Sequence, residues 1–418
     1  MSHLPGHASS REHSPVCCHS SDAFASSSLP EHTNLKPQHP ADIHASDIHR
    51  AVSQLRGGKT VVGYRNLLAY VSALGVDIVP ASRINPDRWT FRGAGAYSAT
   101  YEAPWTGEAP RTVIVKRPKE SFTRDNITFE NELQHKGLSS TVQEIRILAH
   151  PKLKDHPNLP HILGVFFQEE QSPPGTRPCV VFEKAVSTLS SYIREHGASP
   201  GIPPEALVSI AADVTSGVLA LHAYGLVHGD LKPDNILLFL RDDRLVATVA
   251  DLGTCGTVDS QKRHAVIPGT PGYYAPEYYE DSEYHSFANQ PPRDVYGLGL
   301  LFFSMLSRSD SSPFPRRSGA LQQDDSRCLE FLEANIPPSE RIPVVLWETT
   351  KLCLRSAPDA RPPARDVLSL LDGASTNARY GLDPDALVGT TNTTRTASAS
   401  KCKIIAVSDC SPTQTIRE

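Results

Sequence analysis

The chain has 418 residues, more than one hydrophobic core usually serves, so two lobes flanked by tails are expected. A formal charge of −5 gives no global basic field and argues against nucleic acid as a main partner, and no apolar run approaches the roughly 20 residues that would cross a bilayer. The eight cysteines are scattered and no secretory leader precedes them, which fits reduced thiols and a cytoplasmic location, with the nucleus left open.

Residues 1–41 are rich in Ser, His and Pro and poor in large apolar side chains, a composition that cannot offset the entropy of ordering, so a disordered tail is expected. A helical extension follows over 42–87, where Leu67, Leu68, Val71 and Leu74 recur at helical intervals before Gly75. Short strand-like pieces at 89–92, 99–103 and 112–116, separated by Gly and Pro, predict a small antiparallel sheet. Val142, Ile145 and Leu148 mark one face of a helix at 140–149, and strands are expected at 161–168 and 178–183. Pro203-Pro204-Glu205 then opens a helix whose apolar positions run from Leu207 to Leu221. The greasy run 295–306 has the length of a buried core helix, and from 373 the chain is again polar and expected to be disordered.

The chemistry concentrates in His228-Gly229-Asp230-Leu231-Lys232-Pro233-Asp234-Asn235, followed by Asp251-Leu252-Gly253 and Ala275-Pro276-Glu277. Phosphoryl transfer needs little covalent help from a protein: an acceptor for a hydroxyl proton, metal ligands, and a cation beside the phosphates. Asp230, the pair Asn235 and Asp251, and Lys232 can supply these in turn. With Gly93-Ala94-Gly95-Ala96-Tyr97-Ser98, Val113-Ile114-Val115-Lys116 and Asp359-Ala360-Arg361-Pro362 in order around them, residues 88–372 resemble a eukaryotic protein kinase catalytic domain of the serine/threonine or tyrosine-kinase-like kind.

The resemblance implies an α+β, bilobal fold: a small N-terminal antiparallel sheet lobe with one regulatory helix (88–183) and a larger, mainly helical C-terminal lobe (184–372). It implies ATP and Mg²⁺ as cofactors and a protein as substrate. Gly93 to Ser98 would cover the phosphates, Lys116 would contact them, and Glu183 and Ala185 would offer backbone groups to adenine, with Phe182 behind and Leu237 completing the pocket. Asp230 would orient the substrate hydroxyl, Lys232 and Thr270 would mark serine/threonine specificity, and Asn235 with Asp251 would hold the metal. Glu144 is the helix glutamate expected to pair with Lys116, with Glu130 and Glu132 as contenders, although Thr141-Val142-Gln143-Glu144 also reads as a capping box. Glu277 is expected to pair with Arg361, and Asp294 to anchor the catalytic loop.

Three departures from the family pattern bear on activity. Ser98 replaces a glycine, Ile114 replaces a small residue over the adenine pocket, and Gly229 replaces the arginine that commonly docks a phosphorylated activation segment. The last implies activity without phosphorylation at Thr254, Thr257 or Ser260. Two other readings stay open on these residues: a non-catalytic scaffold with the same fold, and a small-molecule phosphotransferase, which also uses a His-Gly-Asp loop.

Overall fold

The computed structural model describes residues 64–106, 110–119, 122–123, 136–171, 174–197, 201–258, 269–278, 290–311, 313–314, 319–336 and 342–373. Both expected tails, the first part of the helical extension, and Glu130, Glu132 and Ser260 lie outside the described residues.

The N-terminal lobe is an antiparallel sheet built on β-strand alternation. Strands β1 (Thr90–Ala94), β2 (Ser98–Trp105), β3 (Arg111–Pro118) and β6 (Pro174–Glu183) lie side by side, and both β4 (Phe122–Thr123) and β5 (Ile162–Gln171) pair with β6. Successive residues of a strand point to opposite faces. On β3 and β6 this sends Val113, Val115, Cys179 and Val181 into an outer cluster with Trp105 and Phe166. Ile114, Val180 and Phe182 go to the opposite core, which faces the helix α2 (Lys136–Leu148). Leu138, Val142, Ile145 and Leu148, at steps of four and three, form the buried stripe of α2.

The region ahead of the sheet contributes helix α1 (Tyr64–Ala73), with Leu67 and Val71 fully buried, as their spacing predicts. The chain then runs beside β5, where Val79 N–H donates to Val165 O at 2.9 Å and Val165 N–H donates to Asp77 O at 2.8 Å.

Beyond β6 the chain becomes mainly helical. After the short strand β7 (Ser187–Thr188), Thr188 caps α3 (Leu189–His196) by accepting the N–H of Ser191. Helix α4 (Pro204–Ala223) starts with proline in its first turn, as expected. Its 20 residues are long and apolar enough to cross a membrane by length and composition alone, although Glu205 and Asp213 interrupt the apolar run. In the fold Leu207, Ile210, Val214, Val218 and Leu221 of α4 belong to the main core.

Three small strand pairs carry the loops that matter. β8 (Leu226–Val227) pairs with β11 (Gly256–Thr257), while β9 (Ile236–Arg241) pairs with both β10 (Arg244–Val249) and β7. Helix α5 (Pro291–Leu306) is buried at every position from Arg293 to Leu306, the core helix its apolar run predicts. Helices α6 (Gly319–Gln322), α7 (Asp325–Glu333), α8 (Val344–Cys353) and α9 (Ala364–Leu371) complete the lobe around it.

Candidate active site

A cleft of about 700 Å³ opens between the lobes. Ile114 and Lys116 of β3 form one wall, Phe182, Glu183 and Ala185 the connection, and Asn235, Leu237 and Asp251 the opposite wall. Of the hairpin predicted to cover phosphates, Gly95 and Ser98 line the cleft, whereas Gly93, Ala94, Ala96 and Tyr97 are not among its lining residues. Gly93 and Ala94 belong to β1, and the turn is closed by Gly95 N–H donating to Ser98 O at 2.9 Å. Ser98 is therefore the start of β2, which makes it structurally part of the sheet.

Lys116 reaches the cleft because the alternation that buries Val115 on the outer face turns the next side chain inward. Its Nζ lies 3.0 Å from Glu144 Oε1 and 2.6 Å from Asp251 Oδ1. Glu144 sits in the middle of α2, and Thr141 Oγ1 donates back to Gly137 O at 2.9 Å from within the helix. The capping-box reading fails here because α2 begins at Lys136, one turn earlier than the apolar stripe alone suggests.

One ammonium thus serves two carboxylates. Burial alone would lower the pKa of Lys116, but Glu144 and Asp251 reverse the sign and raise it. Burial pushes Asp251 up, and the nearer contact with Lys116 overrides it and holds the carboxyl below its ordinary range. For Glu144 burial prevails over Lys116, and its pKa is raised. Asp251 adopts a left-handed backbone, φ 65°, an uncommon conformation that re-aims its side chain at the point where the chain leaves β10.

The catalytic loop between β8 and β9 is held from below. Asp294 of α5 accepts the N–H of His228 at 2.7 Å on Oδ2 and that of Gly229 at 2.8 Å on Oδ1, as expected. His222 Nε2 of α4, which the motif reading missed, lies 2.9 Å from Asp294 Oδ2. Burial would raise the pKa of Asp294, but His222 and the loop amides keep it depressed. Above this anchor, Lys232 Nζ donates to Asp230 Oδ2 at 2.8 Å and to Thr270 Oγ1 at 2.6 Å. Thr270 meets Lys232, and no bond joins it to Asp230 among the described residues. Asn235 Nδ2 donates to Asp230 O at 2.8 Å and Oδ2 at 3.3 Å. Asp230 Oδ1 is buried and finds no hydrogen-bond partner among the described residues.

Asn235 and Asp251 line the same cleft and offer an amide oxygen and a carboxylate. That hard oxygen donor set fits Mg²⁺, which keeps several waters and takes few protein ligands. No cluster of three or more His, Cys, Asp or Glu side chains of metal-binding kind occurs among the described residues, so any metal here would share its sphere with substrate phosphates or water.

Several contacts were invisible to motif reading. Gln143 Nε2 donates to Cys255 O at 2.6 Å and Leu252 O at 3.4 Å, tying α2 to the segment after Asp251. Lys184 bonds Glu102 at 2.8 Å, and Arg92 pairs with the same carboxylate. Arg361 grips Glu277 through two bonds of 2.8 Å, the buried structural pair that the Ala-Pro-Glu and Asp-Ala-Arg-Pro motifs predict.

Residues 92–370 match the family model described as the protein kinase domain. Among similar proteins, the serine/threonine-protein kinases PkaA and PkaB of Streptomyces coelicolor are each 32% identical over 43% and 41% of this chain. The cyclin-dependent kinase 4 of Xenopus laevis is 29% identical over 60% of it. The matches cover 31% of PkaA, 40% of PkaB and 70% of the Xenopus protein. With the sheet lobe, the helical lobe and this cleft between them, the chain belongs to the protein kinase domain family.

Proposed function

We propose that the chain is a protein serine/threonine kinase that transfers the γ-phosphoryl group of ATP to a protein hydroxyl with the help of Mg²⁺. The observation that carries this reading is the divided carboxylate of Asp230. Lys232 and Asn235 hold Oδ2, while Oδ1 is buried without a partner, and a buried acceptor left unbonded costs about 1–3 kcal/mol unless a ligand satisfies it. A substrate hydroxyl does so: Oδ1 accepts its proton as the alcohol oxygen attacks.

Lys232, bonded to Oδ2 of the same carboxylate, stabilises charge developing on the transferred group, and its bond to Thr270 positions the segment that begins at Gly269 in the same step. Lys116 holds the non-transferred phosphates, with Glu144 fixing its direction from α2. Asn235 commits its nitrogen to Asp230 and keeps its oxygen for metal, while Lys116 engages Oδ1 of Asp251, whose second oxygen serves the same purpose. Bound there, Mg²⁺ would neutralise phosphate charge. The family membership speaks against the small-molecule phosphotransferase, and the intact set of Lys116, Glu144, Asp230, Asn235 and Asp251 speaks against a scaffold without catalysis.

Transfer from radiolabelled ATP to myelin basic protein tests the proposal. The wild type should label serine and threonine, and Asp230→Ala should lower the rate by about 10²–10³-fold, comparable to removal of a key stabilising group elsewhere. Equal label in both proteins, or label on tyrosine alone, would refute it.

A further inference from the structure

Gly229 brings no side chain to the floor of the catalytic loop, yet a guanidinium reaches it from below. Arg293, the neighbour of the loop anchor Asp294 on α5, is 4% exposed and donates Nη2–H to Gly229 O at 2.7 Å. Its guanidinium also lies 5.4 Å from the centre of the Tyr278 ring, in the short helical turn that follows Ala275. The Gly229 carbonyl is presented to it by a left-handed backbone, φ 78°.

The far side of this contact is Gly269, which opens the segment 269–278 leading through Ala275-Pro276-Glu277, the stretch that docks the protein substrate on the kinase reading. A Cβ added at Gly269 would stand 3.0 Å from Arg293 Nη2, from Gly229 O and from Tyr274 Cε1, so this position packs the segment directly on the catalytic loop. Tyr274 closes the group by donating its hydroxyl to Gly269 O at 3.0 Å and stacking on Tyr278 at 3.8 Å between ring centres. Two stretches of backbone distant in sequence, the loop at 229 and the segment 269–278, meet around one buried cation. Burying a guanidinium carries a large desolvation cost that only well-placed partners offset. Its partners include a main-chain carbonyl and an aromatic face, with the Asp294, Glu277 and Asp230 carboxylates contributing favourable charge.

We propose that Arg293 is a positioning residue that fastens the substrate-docking segment 269–278 to the catalytic loop, and so orders the protein-substrate side of the site without a phosphorylated residue. The proposal rests on the kinase reading and deepens it. Arg293 touches neither nucleotide nor reacting atoms; it acts by setting where Thr270, and through it Lys232, stand against Asp230. Its influence should therefore fall on the protein substrate and spare the nucleotide.

The test uses the full chain as wild type, Arg293→Lys and Arg293→Met, each treated with phosphatase and verified by intact mass. Hydrogen exchange is followed in 229–232 and 269–278, alongside kcat/KM for myelin basic protein and KM for ATP. Arg293→Lys keeps a charge but loses the planar fork, and should speed exchange in both stretches at least about tenfold while leaving the N-terminal lobe unchanged. It should lower kcat/KM for the protein substrate about tenfold and alter KM for ATP less than about twofold, with Arg293→Met stronger in the same direction. Phosphatase should leave the wild type within about twofold of its untreated rate, which is the size of change that separates tuning from switching. Unchanged exchange in 269–278, faster exchange spread over both lobes, or loss of wild-type transfer on dephosphorylation alone would each overturn the proposal. If Arg293→Met fails to fold, Arg293→Lys decides. A wild type that transfers no phosphate before or after treatment removes the kinase reading, while the exchange data still judge the tether.

Discussion

Lys116 shows how much a single side chain can organise when it is shared. Its ammonium keeps two carboxylates 2.6 and 3.0 Å away, and Glu144 is nearly sealed from water, with 4% of its side chain exposed. Removing one partner of such a pair leaves an uncompensated buried charge and costs about 3–5 kcal/mol. Lys116→Met should therefore destabilise the protein by roughly that amount at pH 7. The loss should shrink as the pH falls, because Glu144, whose pKa burial already raises, takes up a proton above the ordinary glutamate range and the orphaned charge disappears. Asp251 behaves oppositely in the wild type. Its depressed value means that its contribution is present above its unfolded pKa and is lost only as the pH drops through the lower folded value. Denaturant melts of wild type and Lys116→Met at pH 7 and pH 5 measure this, and a gap that stays constant between the two would contradict the assignment.

At the scale of elements, what matters is that α2 and the segment after Asp251 are tied directly to each other. Gln143, the residue before Glu144, donates its amide to two carbonyls of that segment, so the bond between Lys116 and Glu144 and the bond between Lys116 and Asp251 are coupled through the main chain. Gln143→Leu keeps the volume and apolar packing of a buried site but leaves those carbonyls unpaired, a cost of about 1–3 kcal/mol. We expect a lower kcat with KM for the protein substrate little changed, read in steady-state kinetics; a rise in that KM at constant kcat would place Gln143 elsewhere in the mechanism. The sequence made part of this legible. The catalytic loop could be read because Asp230, Lys232 and Asn235 are neighbours along the chain, and β3 could be read because Val113, Ile114, Val115 and Lys116 alternate between two faces. Gln143 and Arg293 could not, since their partners lie 112 and 64 residues away and either side chain would look like an ordinary helix residue. The start of α2 is hidden from the sequence for a related reason: Thr141 bonds back into its own helix, as hydroxyls in helices do, and so mimics a start.

The two lobes meet at a connection whose side chains reach in both directions. Glu183 is bonded by Arg241 of β9, which holds its carboxyl below the ordinary range, and Lys184 bonds Glu102 of β2 in the sheet. The cleft walls belong to different lobes, Ile114 and Lys116 on one side and Asn235, Leu237 and Asp251 on the other, so a nucleotide held between them ties the lobes together. A ligand that binds only the folded form stabilises it by mass action, by about 2.7 kcal/mol at a hundred times its Kd. A non-hydrolysable ATP analogue with Mg²⁺ should therefore raise Tm by on the order of 5 °C at that excess in a domain of this size. The metal's share depends on Asp251, whose carboxylate Lys116 already orients. Asp251→Asn should keep a shift with the analogue alone and lose the increment that Mg²⁺ adds to the wild type. Differential scanning fluorimetry with analogue, with and without the metal, reads both effects, and an Mg²⁺ increment that survives the substitution would mean that the metal site lies elsewhere in the cleft.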